Sequence, residues 1–349
     1  MSAAREPGEA GALVGAARLS AIGRFLGLFA LGLGVFAVVL LVFGKNPLRA
    51  YRDIFASTLA SWYGFSETLV KVTPLVLAAV AVAVPAKIWL INVGGEGQLH
   101  VGALLATWGA LTWSHWPGWI LLPVMGVLGF LGGGVWGAVA GGLRARGWAG
   151  ETISTLLMNY VAILLVHFFV FGPWKDPEGV NYPQTAPFAA AATLPTLGTT
   201  RVHLGLLFAL AAVLMWAFVV AKTRWGLELR AIGGNPEAAR RNGIPIARYI
   251  VLLMFIGGGL AGLAGMSEVS AIQGRLRPSL SPGYGYTGFL ISWMAGGSPA
   301  GIVAASFLLA IITAGGDILQ MTQALPGSAV NILMAIILLV VLGWRTAPR

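Results

Sequence analysis

"INVGGEGQLHVGA", residues 91–103, places Asn92, Glu96, Gln98 and His100 among four glycines inside one of the most apolar stretches of the chain. Its neighbours on either side are runs of Val, Ala, Leu and Ile, the composition of a helix surrounded by hydrocarbon. An uncovered backbone or side-chain polar group is costly there, and irregular backbone at membrane depth is tolerated only where protein or a water-filled cavity covers it. A carboxylate with two amides and several glycines therefore marks a broken spanning helix beside a pathway, and an ionisable group at that depth faces the interior of the bundle.

The rest of the chain fits that setting. Hydrophobic residues make up 57% against 10% charged, with a mean hydropathy of +0.83. A soluble domain is roughly half apolar and a quarter charged, so this composition is that of an integral membrane protein. At about 20 residues per span, 349 residues allow roughly eight to ten crossings in an all-α polytopic fold. The absence of cysteine excludes disulfides and thiolate metal sites, and four scattered histidines make no ligand cluster. No metal, cofactor or catalytic set is expected. Residues 1–20 form a polar, Gly- and Ala-rich tail with no small-residue cleavage site, so no removed signal peptide is read and residues 21–349 form the transmembrane domain.

Apolar runs predict spans at 21–43, 67–85, 88–111, 119–142, 151–171, 202–221, 249–271, 286–297, 300–315 and 328–344. Glycine or proline interrupts many of them, at Pro74, Pro85, Gly132 to Gly134, Gly257 to Gly259, and 295–301. Two interruptions occupy comparable places in the two halves, "INVGGEGQ" and "SPGYGYTGFLISWMAGGSPAG" at 281–301. Paired breaks of this kind point to two inverted repeats around a central route. The competing reading is that the glycines simply let helices pack closely.

The net charge of +10 acquires meaning from its placement, which excludes nucleic acid as the partner. Arg5, Arg18 and Arg24 precede the first span, Arg144 and Arg146 close the fourth, and Arg345 and Arg349 follow the last. Lys222, Arg224, Arg230, Arg240, Arg241 and Arg248 crowd one loop against Glu228 and Glu237 only, whereas 172–200 holds a single Lys175 facing Asp176 and Glu178. The positive-inside rule puts both termini and the 222–248 loop in the cytoplasm and 172–200 outside. The 44–66 loop, external by this count, resists with Lys45, Arg49 and Arg52.

Within 222–248, "NPEAARRNG" reads as a short helix capped by Asn235, with Pro236 first, Glu237 at the positive end of the dipole and Asn242-Gly243 as its stop. A capped helix in a basic loop suits docking to a soluble partner, the alternative being contact with anionic lipid headgroups. The candidate interior residues are Asn92, Glu96, Gln98, Asn159, Tyr284 and Tyr286. Glu96 has two readings, holding the helix break or lining a solute route. Of the remaining ionisable groups, His100 reads as an interior histidine, Glu151 as an interfacial residue opening its span, Glu268 as a partner for Arg275 or Arg277, and Asp317 as a cap or turn residue.

Here a family resemblance enters. "GLELRAIGGNPEAARRNGI" at 226–244 resembles the cytoplasmic loop of ABC-importer permeases, in which Glu237-Ala238-Ala239, three residues and Gly243 seat a coupling helix in an ATPase groove. The later I-x-L-P element of many such loops is missing, which suits the branched-chain amino acid, sugar and nucleoside branch. "INVGGEGQLHVGA" is similar to that branch's N-[IV]-G-x-E-G-Q pattern. "ETISTLLMNYVA" at 151–162, "GPWKDPEGVNYPQTAPF" at 172–188 and "GRLRPSLSPGYGYTGF" at 274–289 look like the nucleoside permeases that work with basic-membrane-protein-type lipoproteins.

The resemblance implies a pore-forming subunit with no ATP chemistry of its own, and no GxxxxGK[ST] loop is present. It further implies an ATPase with two nucleotide-binding domains engaging Arg230, Asn235, Glu237, Ala238, Ala239 and Gly243. A second homologous permease, an extracytoplasmic substrate-binding lipoprotein docked on 172–200, and surrounding membrane lipid complete the expected partners. Nucleosides, purine ones first, are the implied solutes, and simple sugars the alternative. A proton- or sodium-coupled carrier using Glu96 or Glu268 is the competing class, and a membrane-embedded enzyme is the weakest.

Overall fold

The computed structural model describes residue 27 and residues 30–179, 182–329 and 331–336. The tail at 1–20 and the C-terminal end of the expected last span lie outside them. Close contacts divide the chain into a smaller unit, Met1–Ala60 with Ile311–Arg349, and a larger unit, Ser61–Ala310.

In the smaller unit, α1 (Ala30–Val42) and α2 (Pro47–Thr58) meet at 115°. Gly44 turns the chain with φ +69°, and Asn46 caps α2 by accepting from the amides of Leu48 (3.0 Å) and Arg49 (3.2 Å). Pro47 takes the first helical position, where its missing N–H costs nothing. The stretch expected as an external loop at 44–66 therefore contains a helix. Arg49 and Arg52 lie on it, which is why that stretch did not read as an ordinary connector. Asp53 on α2 accepts from Gln323 (2.9 Å).

The larger unit holds α3 (Trp62–Ala86), α4 (Gly95–Thr112), α5 (Gly118–Ala145), α6 (Glu151–Phe171), α7 (Gly205–Lys222), α8 (Arg224–Gly234), α9 (Pro236–Arg241), α10 (Ile246–Ser267) and α11 (Tyr284–Ala295). A π-helical turn, Glu268–Gln273, prolongs α10. Then α12 (Pro299–Gln323) begins in the larger unit and ends in the smaller, followed by α13 (Gly327–Ile336). Asp317, expected as a cap or turn, lies inside α12 because that helix runs on past the apolar stretch at 300–315.

Among the described residues, six helices are long and apolar enough to cross a bilayer: α3, α5, α6, α7, α10 with its extension, and α12. The bent α1–α2 pair would make a seventh. The expectation of ten spans also counted α4, α11 and the run at 328–344, of which the described residues include only the short α13 and not 337–344. However, α4 starts at Gly95 rather than 88 and opens on a polar turn, and α11 has twelve residues, about 18 Å against a hydrocarbon core of about 30 Å.

The core of the larger unit is α10, packed on α5, α4 and α3. Here the glycine runs prove to be packing surfaces. Helix α5 runs unbroken through Gly132 to Gly134, and α10 through Gly257 to Gly259. A Cβ on Gly258 would fall 2.2 Å from the Gly133 carbonyl oxygen, and one on Gly262 would fall 2.1 Å from that of Gly129. Small residues let the two backbones touch, the main source of helix affinity where lipid removes the hydrophobic drive.

The connection between α6 and α7 is tied down from Thr185 to Leu194. Thr185 donates its amide to the Leu276 carbonyl (3.1 Å), Phe188 to that of Gly274 (2.8 Å), and Ser270 bonds both Ala192 (2.6 Å) and Leu194 (3.1 Å). A short 3₁₀ turn, Ala190–Ala192, seats Ala192 and Leu194 against Leu121, Met125 and Met266. Glu268, at the start of the π turn, is buried, and the basic side chains that act on it are Lys71 and Arg201, not the expected Arg275 or Arg277.

Candidate functional site: a helix break held by its neighbours

Residues 90–93 run without helical structure between α3 and α4; the Leu90 amide reaches back to the Pro85 carbonyl (3.3 Å), and those of Ile91 and Val93 need partners from outside the two helices. One face of α6 supplies those partners. Glu151, Thr155 and Asn159 are spaced four apart, so they stand one above another on the same stripe. Glu151 Oε1 accepts from the Ile91 amide (3.3 Å), Thr155 Oγ1 from the Val93 amide (3.3 Å), and Asn159 Oδ1 from the Gly97 amide (2.8 Å). Asn159 also donates Nδ2 to the Val93 carbonyl (2.9 Å). Glu151 is thus a buried strut, held by Arg144 at 2.9 Å, and not the interfacial residue its place at the start of a span suggested.

The break also braces itself. Asn92 and Gln98 exchange amide hydrogen bonds, Nδ2 to Oε1 at 3.1 Å and Nε2 to Oδ1 at 3.0 Å, while Asn92 Oδ1 also accepts from the Gly94 amide (3.0 Å). This pair turns the chain into α4 in the absence of a side-chain N-cap. Asn92, Gln98 and Asn159 are at most 1% exposed and Glu96 is 2% exposed, so these side chains are consumed by the junction itself.

Glu96 joins the two interrupted regions. Its Oε2 accepts from the Gly285 amide at 2.7 Å, and its other oxygen lies 3.8 Å from His100 Nδ1. Gly285 is in the first turn of α11, which follows Gly283 at φ +98° and is capped by Ser281 through the Tyr284 amide (2.9 Å). The positive ends of α4 and α11 therefore converge on one carboxylate, the charge that helix N-termini favour. The approach is close: a Cβ on Gly285 would stand 2.0 Å from the Glu96 nitrogen. Each long helix before a break packs on the helix after the other break, α3 on α11 and α10 on α4.

Of the expected interior residues, Asn92, Glu96, Gln98, Asn159 and Tyr286 come together here. The Tyr286 hydroxyl accepts from Asn159 Nδ2 at 3.4 Å and its ring is half-buried. Tyr284 is buried in the first turn of α11. Sequence reasoning missed Glu151 and Thr155 as members, although their i, i+4, i+8 spacing with Asn159 was visible. It also missed Trp89, which enters the break at φ +63°, a left-handed conformation costing a bulky residue about 1–3 kcal/mol. The Trp89 Nε1 donates to the Gly233 carbonyl of α8 at 2.6 Å. Among the described residues no group of three His, Asp or Glu side chains is placed to hold a metal.

The 222–248 segment forms the expected helix and a second one before it. Asn235 ends α8 and caps α9 by accepting from the Ala238 amide (3.0 Å). Glu237 pairs with Arg240 and Arg241, Ala239 is buried, and Ala238 faces outward with the charged residues. Gly243, at φ +81°, closes the helix, as a left-handed glycine after a helix commonly does. Arg230 bonds the Val220 carbonyl at the end of α7, and Glu228 is held by Arg224 and Tyr249. The pair α8–α9 is thereby fastened to α7 and α10 rather than hanging as a loop.

Residues 64–342 match the model of the branched-chain amino acid transport system/permease component family. The chain belongs to that family. As an ABC transporter permease it is a multi-pass protein of the cell membrane and a transporter subunit, not an enzyme; the system it serves includes an ATPase and a binding protein. Its relatives include a glucose ABC transporter permease of Haloferax volcanii, 36% identical over 88% of this chain and 83% of the relative. A guanosine ABC transporter permease of Bacillus subtilis is 32% identical over 89% and 90%, and a nucleoside ABC transporter permease of Lactococcus lactis 30% over 86% and 85%. For an ABC permease, the proton- or sodium-coupled carrier and the membrane-embedded enzyme fall away.

Proposed function

We propose that this permease forms half of a nucleoside import pathway, with purine nucleosides as its first solutes. The observation that carries this reading is the junction of α4 and α11: two helix N-termini meet inside the membrane domain, where the solute sites of broken-helix transporters lie. Asn92, Glu96, Gln98 and Asn159 keep the junction closed on itself, and the half-buried Tyr286 ring, tethered to Asn159, offers a face for a base to stack on. Tyr284, buried in the same helix turn, is the second aromatic of this region. The guanosine and nucleoside permeases among the relatives support this solute class. The Haloferax permease supports simple sugars as the second reading, and a ribose likewise presents sugar hydroxyls.

The system would contain an ATPase with two nucleotide-binding domains, a second homologous permease, and a substrate-binding lipoprotein seated on the external 172–200 connection, all bedded in membrane lipid. Both termini would lie in the cytoplasm with α8–α9. ATPase closure would act on the exposed face of α9, through Glu237, Ala238 and the start of the turn at Gly243, with Arg230, Asn235 and Ala239 holding the helix to its base. Gly243→Arg tests this docking: with nothing near its Cβ and only the left-handed φ of +81° to strain it, about 1–3 kcal/mol, it should leave the permease folded and abolish co-purification of the ATPase. Unchanged co-purification would contradict it.

A further inference from the structure

We infer that Trp89 is a positioning residue that transmits movement of α8–α9 to the helix break, an inference that rests on the proposed docking of the ATPase on α9. Three independent observations meet at this residue. The backbone holds a tryptophan at φ +63°, a conformation that persists only where surrounding structure fixes it. The indole N–H satisfies the carbonyl of Gly233 in the last turn of α8, where helix carbonyls lack intrahelical donors. The two backbones also touch: a Cβ on Gly233 would lie 2.5 Å from the Lys87 carbonyl oxygen, so the contact requires glycine there.

The path from this contact to the junction is short and made of fixed geometry. Gly233 lies two residues before Asn235, which caps α9, and Trp89 lies two before Ile91, whose amide bonds Glu151. Displacing α9 drags Gly233, and Gly233 pulls on the 87–91 backbone through the indole and the carbonyl contact. That backbone leads directly into the Asn92–Gln98 pair and Glu96. Trp89 is 77% exposed, so little burial holds it and its hydrogen bond fixes the direction of its indole. A tryptophan that only anchored the chain at the membrane interface would tolerate phenylalanine.

The test uses the complete importer reconstituted in vesicles, reading guanosine uptake and ATP hydrolysis together. Trp89→Phe keeps the ring and removes the donor. It should leave ATPase co-purification and the thermal midpoint unchanged while lowering solute moved per ATP by about fivefold, the factor one hydrogen bond is worth. Gly233→Ala, which forces α8 away from Lys87, should lower the same ratio. Normal transport per ATP in both variants, with Gly243→Arg still abolishing ATPase binding, would overturn the role of Trp89 and leave the docking intact. A Trp89→Phe loss matched by an equal loss of folded permease would overturn it as well. ATPase binding that survives Gly243→Arg would bring down the docking, and the linkage with it.

Discussion

A buried amide group left without a partner costs about 1–3 kcal/mol, and Asn159 covers two of them, the Gly97 N–H and the Val93 C=O. Asn159→Ala should lower unfolding stability in detergent by about 2–4 kcal/mol. Thr155→Val, which removes one longer contact to the Val93 amide, should cost about 1 kcal/mol; equal losses from the two would deny Asn159 its double role. Glu96 separates structure from solute contact. The amide oxygen of Glu96→Gln still accepts from Gly285, so only the charge facing the two helix ends is lost, about 0.3–1 kcal/mol. The variant should therefore fold, and the KM for guanosine should stay unchanged if Glu96 holds the break alone. A large KM shift without loss of stability would instead place the carboxylate against the solute.

At the scale of elements, shape decides which glycines matter. Gly258→Ala and Gly285→Ala would drive a methyl into backbone atoms at 2.2 and 2.0 Å, and each should reduce folded yield and lower stability by about 1–3 kcal/mol or more. Gly126→Ala, on the same helix as Gly133 but with nothing within 4 Å, should be neutral or stabilise by up to about 1 kcal/mol through helix propensity. A uniform response across the three would refute the packing account. In the sequence Gly132 to Gly134 and the glycines at 94–97 interrupt apolar runs alike, and the structure places the former inside an unbroken helix. What separates them is the polar company: Asn92, Glu96 and Gln98 surround the real break, whereas the α5 and α10 glycines sit among purely apolar residues. The capped helix at 236–241 was legible because Asn235, Pro236 and Gly243 act locally. The α6 stripe was not, because its partners lie about 60 residues away and Glu151 resembles any helix-opening acid. Nor was α2, where Arg49, Arg52 and Asp53 interrupt the apolar run and leave no span to read.

On the scale of the whole molecule, the two broken regions that sequence separates by about 190 residues are joined at one carboxylate, while the α8–α9 pair lies one tryptophan away from the same break. In the proposed account this permease takes its energy from the ATPase of its system, and its solute route would answer to movement of α9. The central claim is therefore that transport is driven from outside the chain. It is tested most directly by guanosine uptake into vesicles holding this permease, with its partners added or omitted. The account predicts uptake only when the second permease, the ATPase with ATP and the binding protein are all present, with no response to a proton or sodium gradient. Gradient-driven uptake by this subunit alone would contradict it.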